Sequence, residues 1–463
     1  MRFFAALSQV TLLFVTVVPS VNSLVVDQPP QLFARDDSFF DPPAGFESQP
    51  PGSVLRSRKI IASFFTFIPD PIEAYQILYR TTAVNGSAIA TATTIFKPLF
   101  AKKDRFVTYN IAYDSSGVQC SPSRAFPLGS NPTTALAAGE LLLIQIYLLS
   151  GYIVSSPDYE GPDAAFTPGY LSGMGVLDSM RAVANFADTL GLSQNPMSVG
   201  VGYSGGGLAT GWAAAMQPAY APELAVKGWV AGGVPANLTS IFEYIDGTVV
   251  SGFEPIAIAG MLKPTAHGAL LQPLFHRIAT PLGKHAIEVA SSQCAAAPLI
   301  EFAFQSVLDT KFQSLGRELL TDPTIGPLIT RNTLGVNQTE TPAVPVLMYH
   351  AQPDEIVPYP AAATLRSAWC DYGATIKFTT FAAGGHGTTA LLGIPDALQF
   401  VNDAFSDNVA PGCTTKTLLN DQLSPLALGL NLEPLAVGLI NAIAALGKKD
   451  ANWLNGIKDG KSI

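Results

Sequence analysis

Hydrophobic and polar positions change rhythm several times along the chain. Residues 24–58 hold no sustained apolar period, and Pro29-Pro30, Pro42-Pro43 and Pro50-Pro51 mark an extended arm laid over the surface. From Tyr75 the texture turns to short β-branched and aromatic runs. Ala88–Pro98 alternates Thr with Ala and Ile, and Arg105–Tyr113 is a strand signal that ends in the turn Asp114-Ser115-Ser116-Gly117. Gly151–Ser156 is another strand and Pro157–Pro162 a loop. Val176, Met180, Val183, Phe186 and Leu190 then recur at helical spacing, the stripe of a helix that stops near Gly191. It leads into Met197–Tyr203, a small-residue strand of the buried parallel kind.

Strands alternating with helices over this length imply a parallel α/β sheet. Between Pro235 and Arg331 the strand signal disappears. Leu238, Ile241, Phe242 and Ile245, and later Phe302, Val307 and Phe312, follow a helical pattern with breaks at Pro255, Pro264, Pro281 and Pro323. The sheet pattern resumes at Ala343–His350, followed by a helix at Ala361–Trp369, a strand at Ala374–Phe381 and a helix from about Thr388 to Phe405. The expected organisation is therefore a signal segment (1–23), the arm (24–58), a first core part (59–234), an inserted helical cap (235–331) and a second core part (332–463).

Composition narrows the function classes. The 463 residues are 48% hydrophobic and 13% charged, which excludes a disordered or charge-patterned chain. Lys and Arg number 26 against 35 acids, a formal charge of −9, so nucleic acid is excluded as a default partner. The apolar run from Phe3 to Val18, with one early cation at Arg2 and small residues at Ser20 and Ser23, reads as a secretory signal peptide. Leu136–Leu149 and Leu426–Leu446 are too short or too interrupted to span a bilayer, so no integral span is expected. Four cysteines, Cys120, Cys294, Cys370 and Cys413, in a secreted chain imply two disulfides, for which the sequence alone allows three pairings. Their spacing matches no metal site. Asn85, Asn237 and Asn337 each open a glycosylation sequon.

The strongest chemical signal is Gly202-Tyr203-Ser204-Gly205-Gly206 between a strand and a helix. A serine on that turn projects its hydroxyl over the sheet end, the glycines leave room for its neighbours, and the Gly205 amide can hold an oxyanion. Such a serine needs a base and an orienting acid, here expected in the order Ser, Asp, His on loops at strand ends. His386, in Gly385-His386-Gly387, follows the strand ending at Phe381, and Asp354 follows the strand ending near His350. Glu355 is the rival acid. His350 precedes the acid and reads as a packed structural histidine, and the cap residues His267, His276 and His285 are out of order. For the second oxyanion donor the loop after Arg105–Tyr113 offers the Asp114 backbone amide, with an ordinary Asx turn as the competing reading.

Taken with Tyr113-Asp114-Ser115-Ser116, Pro157–Pro162 and Pro353–Pro358, these motifs make the chain resemble the secreted fungal lipases related to Candida antarctica lipase A, from about residue 40 to 445. The resemblance implies an α/β-hydrolase fold, a triad of Ser204, Asp354 and His386, and an oxyanion hole from Asp114 and Gly205. It also implies the pairings Cys120–Cys294 and Cys370–Cys413, a lid in the helical insertion and a flap near Leu426–Leu446. The expected activity is hydrolysis of triacylglycerols and related esters at a transient lipid–water interface, without metal or organic cofactor. Alternatives are a carboxylesterase or deacetylase acting on smaller soluble esters, and a secreted serine peptidase of the same fold. The sequence carries no signal for oligomeric state.

Overall fold

A computed structural model describes residues 37–130 and 135–419. The expected signal peptide, the first part of the arm and the Leu426–Leu446 flap lie outside the described residues. Twelve strands are present among them: β1 (Val54–Ile60), β2 (Ser63–Phe64), β3 (Ile68–Pro69), β4 (Glu73–Thr82), β5 (Ala88–Lys97), β6 (Arg105–Asn110), β7 (Ile153–Pro157), β8 (Met197–Tyr203), β9 (Val226–Gly232), β10 (Val346–Ala351), β11 (Ile376–Phe381) and β12 (Thr414–Leu418). Ten of them form one sheet in the order β1-β4-β5-β7-β6-β8-β9-β10-β11-β12, while β2 and β3 pair separately. The pairs β1·β4, β4·β5 and β5·β7 are antiparallel, and every pair from β7 onward is parallel.

Parallel strands need crossover helices, which bury both faces of the sheet. Gly228 on β9 lies beside Phe400 and Ala404 of the helix Ile394–Phe405. The next residue, Trp229, points the opposite way and covers Gly200 together with Met180 of the helix Gly169–Asn185. That helix and Gly205–Tyr220 pack on each other. Val199, Val201, Val230 and Val346 lie buried between these layers.

Strand order reverses at β6: β7 lies on one side of it and β8 on the other. In an open parallel sheet the crevice outside the carboxyl ends at such a switch is where ligands bind. Asn110, the last residue of β6, is in register with Gly202, so the Asp114 loop and the Ser204 turn emerge side by side.

Between β9 and β10 the chain forms the helices Leu238–Ile245, Phe253–Met261, Gly268–Ile278, Pro281–Ser292, Ala296–Glu301 and Ile325–Arg331, as the lost strand signal suggests. Three local expectations need correction. The arm is shorter than expected, because Val54–Ile60 is an edge strand whose Arg56, Arg58 and Lys59 hid its alternation. Phe302, Val307 and Phe312 are buried but stand on turns rather than on a helix, and the Asp246 carboxylate shapes that loop by accepting from Ser306 Oγ (2.7 Å) and Leu308 N–H (3.3 Å). The helix expected from about Thr388 to Phe405 is two, His386–Leu392 and Ile394–Phe405, divided at Gly393, where the Tyr349 ring fills the space a Cβ would need.

Candidate active site

β8 ends at Tyr203 and the next helix begins at Gly205, so a single residue turns the chain. Ser204 does so at φ 55° and ψ −123°, a region costly for a residue with a Cβ. Its N–H donates to Gly232 O (3.0 Å) and its carbonyl accepts from Leu208 N–H (2.8 Å), which fixes the turn against β9 and the new helix. A Cβ on Gly206 would stand 1.9 Å from the Asn110 carbonyl oxygen, so the helix approaches β6 this closely only with glycine there.

His386 opens the helix after β11 and is held from three sides. Its N–H donates to Glu355 Oε2 (2.9 Å), its carbonyl accepts from Tyr203 OH (2.7 Å), and its ring lies against the Tyr203 ring. Nε2 lies 2.8 Å from Ser204 Oγ, and Nδ1 lies 2.7 Å from Asp354 Oδ2. With the proton on Nδ1 donated to the carboxylate, Nε2 accepts from the serine hydroxyl. Asp354 closes the line from the loop after β10. Its Oδ1 accepts from Ile356 N–H (2.9 Å) and Val357 N–H (2.8 Å), an Asx turn that aims Oδ2 at the imidazole.

Of the two candidate acids, then, Asp354 reaches the ring and Glu355 holds the backbone of the histidine. His350 is packed as expected, at 1% exposure, yet its Nε2 also lies 3.3 Å from Asp354 Oδ2. Burial opposes ionisation of Asp354, but attraction to His386 and hydrogen bonds from His350 and His386 outweigh it and hold its carboxyl below the usual range. Burial likewise opposes charge on His386, and the Asp354 carboxylate overcomes it, with smaller help from Glu355 and Asp114, so the imidazole is raised above its ordinary value.

Asp114 and Gly205 border the same pocket as Ser204, a cavity of about 50 Å³. Leu238, Phe242, Ala257 and Thr167 line it and also border a second, apolar cavity of about 90 Å³ at the cap, lined further by Leu271, Leu274 and Phe275. The cap is tied to the Asp114 loop by the disulfide Cys120–Cys294 and by Ala295 N–H donating to Ser115 Oγ (3.0 Å). The second disulfide, Cys370–Cys413, joins the helix Tyr359–Asp371 to the chain entering β12. Asn85 and Asn337 are exposed, whereas Asn237 is half-buried and caps a helix, its Oδ1 accepting from Ser240 N–H (3.2 Å). The contacts from Tyr203, His350 and Glu355 to the triad residues carry no sequence signal of their own.

Residues 127–412 match the model of a family described as secretory lipase. A secreted triacylglycerol lipase of Malassezia furfur is 38% identical over 401 residues, covering 86% of this chain and 81% of that protein. One of Malassezia restricta is 36% identical over 439 residues, covering 93% and 92%. Among solved structures, Candida antarctica lipase A superposes with a TM-score of 0.79 at 26% identity, covering 88% of this chain and 94% of that one, and its closed state with a TM-score of 0.76. The mostly parallel sheet, with helices on both faces, is an α/β-hydrolase fold. On these grounds the chain belongs to the secretory lipase family.

Proposed function

We propose that this chain is a secreted serine lipase that hydrolyses carboxylic esters of triacylglycerols and related lipids. The observation that carries the reading is the hydrogen-bonded line Ser204–His386–Asp354 beside a pocket that shares Thr167, Leu238, Phe242 and Ala257 with an adjoining apolar cavity in the cap. Ser204 Oγ attacks the ester carbonyl as His386 Nε2 takes its proton, and Asp354 orients the ring and stabilises its cation. The backbone amides of Gly205 and Asp114 hold the oxyanion. His386 then protonates the leaving alcohol, and water, deprotonated by the same imidazole, releases the acid from the acyl-enzyme.

The apolar cavity suits an acyl chain, because extracting such a chain from water and packing it among Leu271, Leu274 and Phe275 recovers roughly 0.8 kcal/mol per buried methylene. Exposed Leu270, Ile300 and Phe304 give the cap an apolar outer surface suited to an oil–water boundary, where the helical insertion serves as the lid.

Replacing Ser204 with Ala is expected to abolish ester hydrolysis with thermal unfolding unchanged, and an active-site phosphonate should label wild type at Ser204. Across an acyl-length series, rates should favour long-chain triglycerides over short soluble esters. Turnover confined to short soluble esters would replace this reading with that of a soluble-ester esterase, and wild-type rates in S204A would falsify the triad.

A further inference from the structure

The mechanism above uses only the backbone of Asp114, yet its side chain is the more unusual part. Asp114 sits at φ 40° beyond β6 and is 8% exposed, and its Oδ1 is buried without a hydrogen-bond partner. Oδ1 occupies the space beside Gly205: a Cβ on Gly205 would stand 1.8 Å from it. Asp114, Gly205 and Ser204 border the same pocket. A carboxylate left in that position would be buried with Oδ1 unpaired, offset only by its own backbone amide and by the charge of His386 when that imidazole is protonated, a costly arrangement in a buried site.

We infer that the Asp114 carboxyl works in its protonated form, its O–H serving as a third donor to the oxyanion beside the two backbone amides. No proton leaves Asp114 in this role. The hydrogen bond strengthens as negative charge develops on the ester oxygen and relaxes when the tetrahedral intermediate collapses. The inference rests on the triad reading proposed above.

The surroundings favour the neutral acid. Burial is the largest influence and pushes the Asp114 carboxyl up to about 7, with the His386 charge and its own backbone amide as the opposing effects. Facing it are Glu140 from the helix Ala135–Leu149 and Glu160 and Tyr159 from the loop after β7, while Glu254 of the cap helix Phe253–Met261 lines the same pocket. Apart from His386, every titratable group named here is acidic, and Glu140, Glu160 and Tyr159 are held in their neutral forms by burial and by any charge on Asp114, so none of them supplies a cation to an ionised Asp114.

Asn accepts a positive φ and offers an amide donor that does not titrate, which makes Asp114→Asn the decisive variant. The experiment is the pH dependence of kcat and KM for wild type, D114N and D114A on a short-chain ester, with active sites counted by phosphonate labelling. Wild-type kcat should decline as pH rises through about 7, as the donor becomes a charge that repels the oxyanion. D114N should retain kcat within about tenfold of wild type and lose that decline, while D114A should drop kcat by about 10² with little change in KM. A decline in D114N like that of wild type, as Glu140 would produce, or a D114A as fast as D114N, overturns the inference. Wild type that escapes labelling at Ser204 overturns the triad reading and this inference together, whereas a labelled D114N that keeps the decline overturns this inference alone.

Discussion

His350 Nε2 lies 2.9 Å from the Val357 carbonyl oxygen and 3.3 Å from Asp354 Oδ2, the oxygen that also faces His386. Buried at the end of β10, His350 thus bridges the strand and the loop that carries the acid. As a positioning residue it should act through Asp354. Removing its N–H leaves Asp354 more basic, which favours the His386 cation further and moves the acid limb of kcat/KM to higher pH. His350→Leu should show that shift with a fall in kcat of about tenfold, the worth of one hydrogen bond to a charged group. His350→Gln, whose amide can reach where Nε2 stands, should restore most of both. A purely packing role would lower the melting temperature in both variants and leave the pH profile unmoved.

Gly205 is tested by a single carbon. Its Cβ would overlap Asp114 Oδ1, so Gly205→Ala must displace either the carboxyl or the start of the helix that carries the amide. The expected loss is about 10² in kcat, the scale of one misplaced oxyanion donor, with binding of a non-reactive ester ether analogue nearly unchanged. Stopped kinetics alongside a melting curve separate this from misfolding.

These two sites show what could be read in the chain and what could not. The strand, turn and helix around Ser204 are local, so glycines and period placed them, and the loops after β10 and β11 follow from strands recognisable by their β-branched runs. The Tyr203 bond to the His386 carbonyl joins residues 183 positions apart, and the His350 contact with Asp354 depends on how the loop folds back. Neither leaves a periodic trace. β1 is hidden within the expected arm for a different reason: an edge strand protects itself with charges, and Arg56, Arg58 and Lys59 erase the alternation that would identify it.

The two disulfides should separate stability from activity. Cys120–Cys294 closes a separation of 174 residues and pins the cap to the Asp114 loop, whereas Cys370–Cys413 closes 43 residues between elements near the sheet edge. Replacing the first pair with Ser is expected to cost about 2–5 kcal/mol and to lower kcat, because the oxyanion loop loses its tether. Replacing the second should lower the melting temperature with kcat preserved. Melting curves and initial rates on the same preparations check both.

Asn85 and Asn337, exposed on turns, are the proposed glycan acceptors, and each Asn→Gln change should remove one glycan from the intact mass of protein secreted by a eukaryotic host. Asn237 has structural work to do as a helix cap. Asn237→Ala should therefore leave the mass of the glycans unchanged and cost about 1 kcal/mol of stability.

Glu254 gives the pH dependence of stability a sign. It is fully buried, and burial first, with the Asp246 charge second, pushes its carboxyl up to about 9. In the unfolded chain it ionises near the ordinary glutamate value of 4.5, so between that pH and about 9 the folded protein holds a proton the unfolded one has released. The unfolded state then binds fewer protons, and stability falls as pH rises across that window. Asp354 acts in the opposite sense, its lowered carboxyl favouring the fold above its unfolded value. The contribution of Glu254 is therefore read as a difference between proteins: Glu254→Gln keeps the volume and removes the titration, so its melting temperature should gain on wild type steadily from about pH 5 to 9. Parallel melting curves across that range would exclude a protonated Glu254 in the cap.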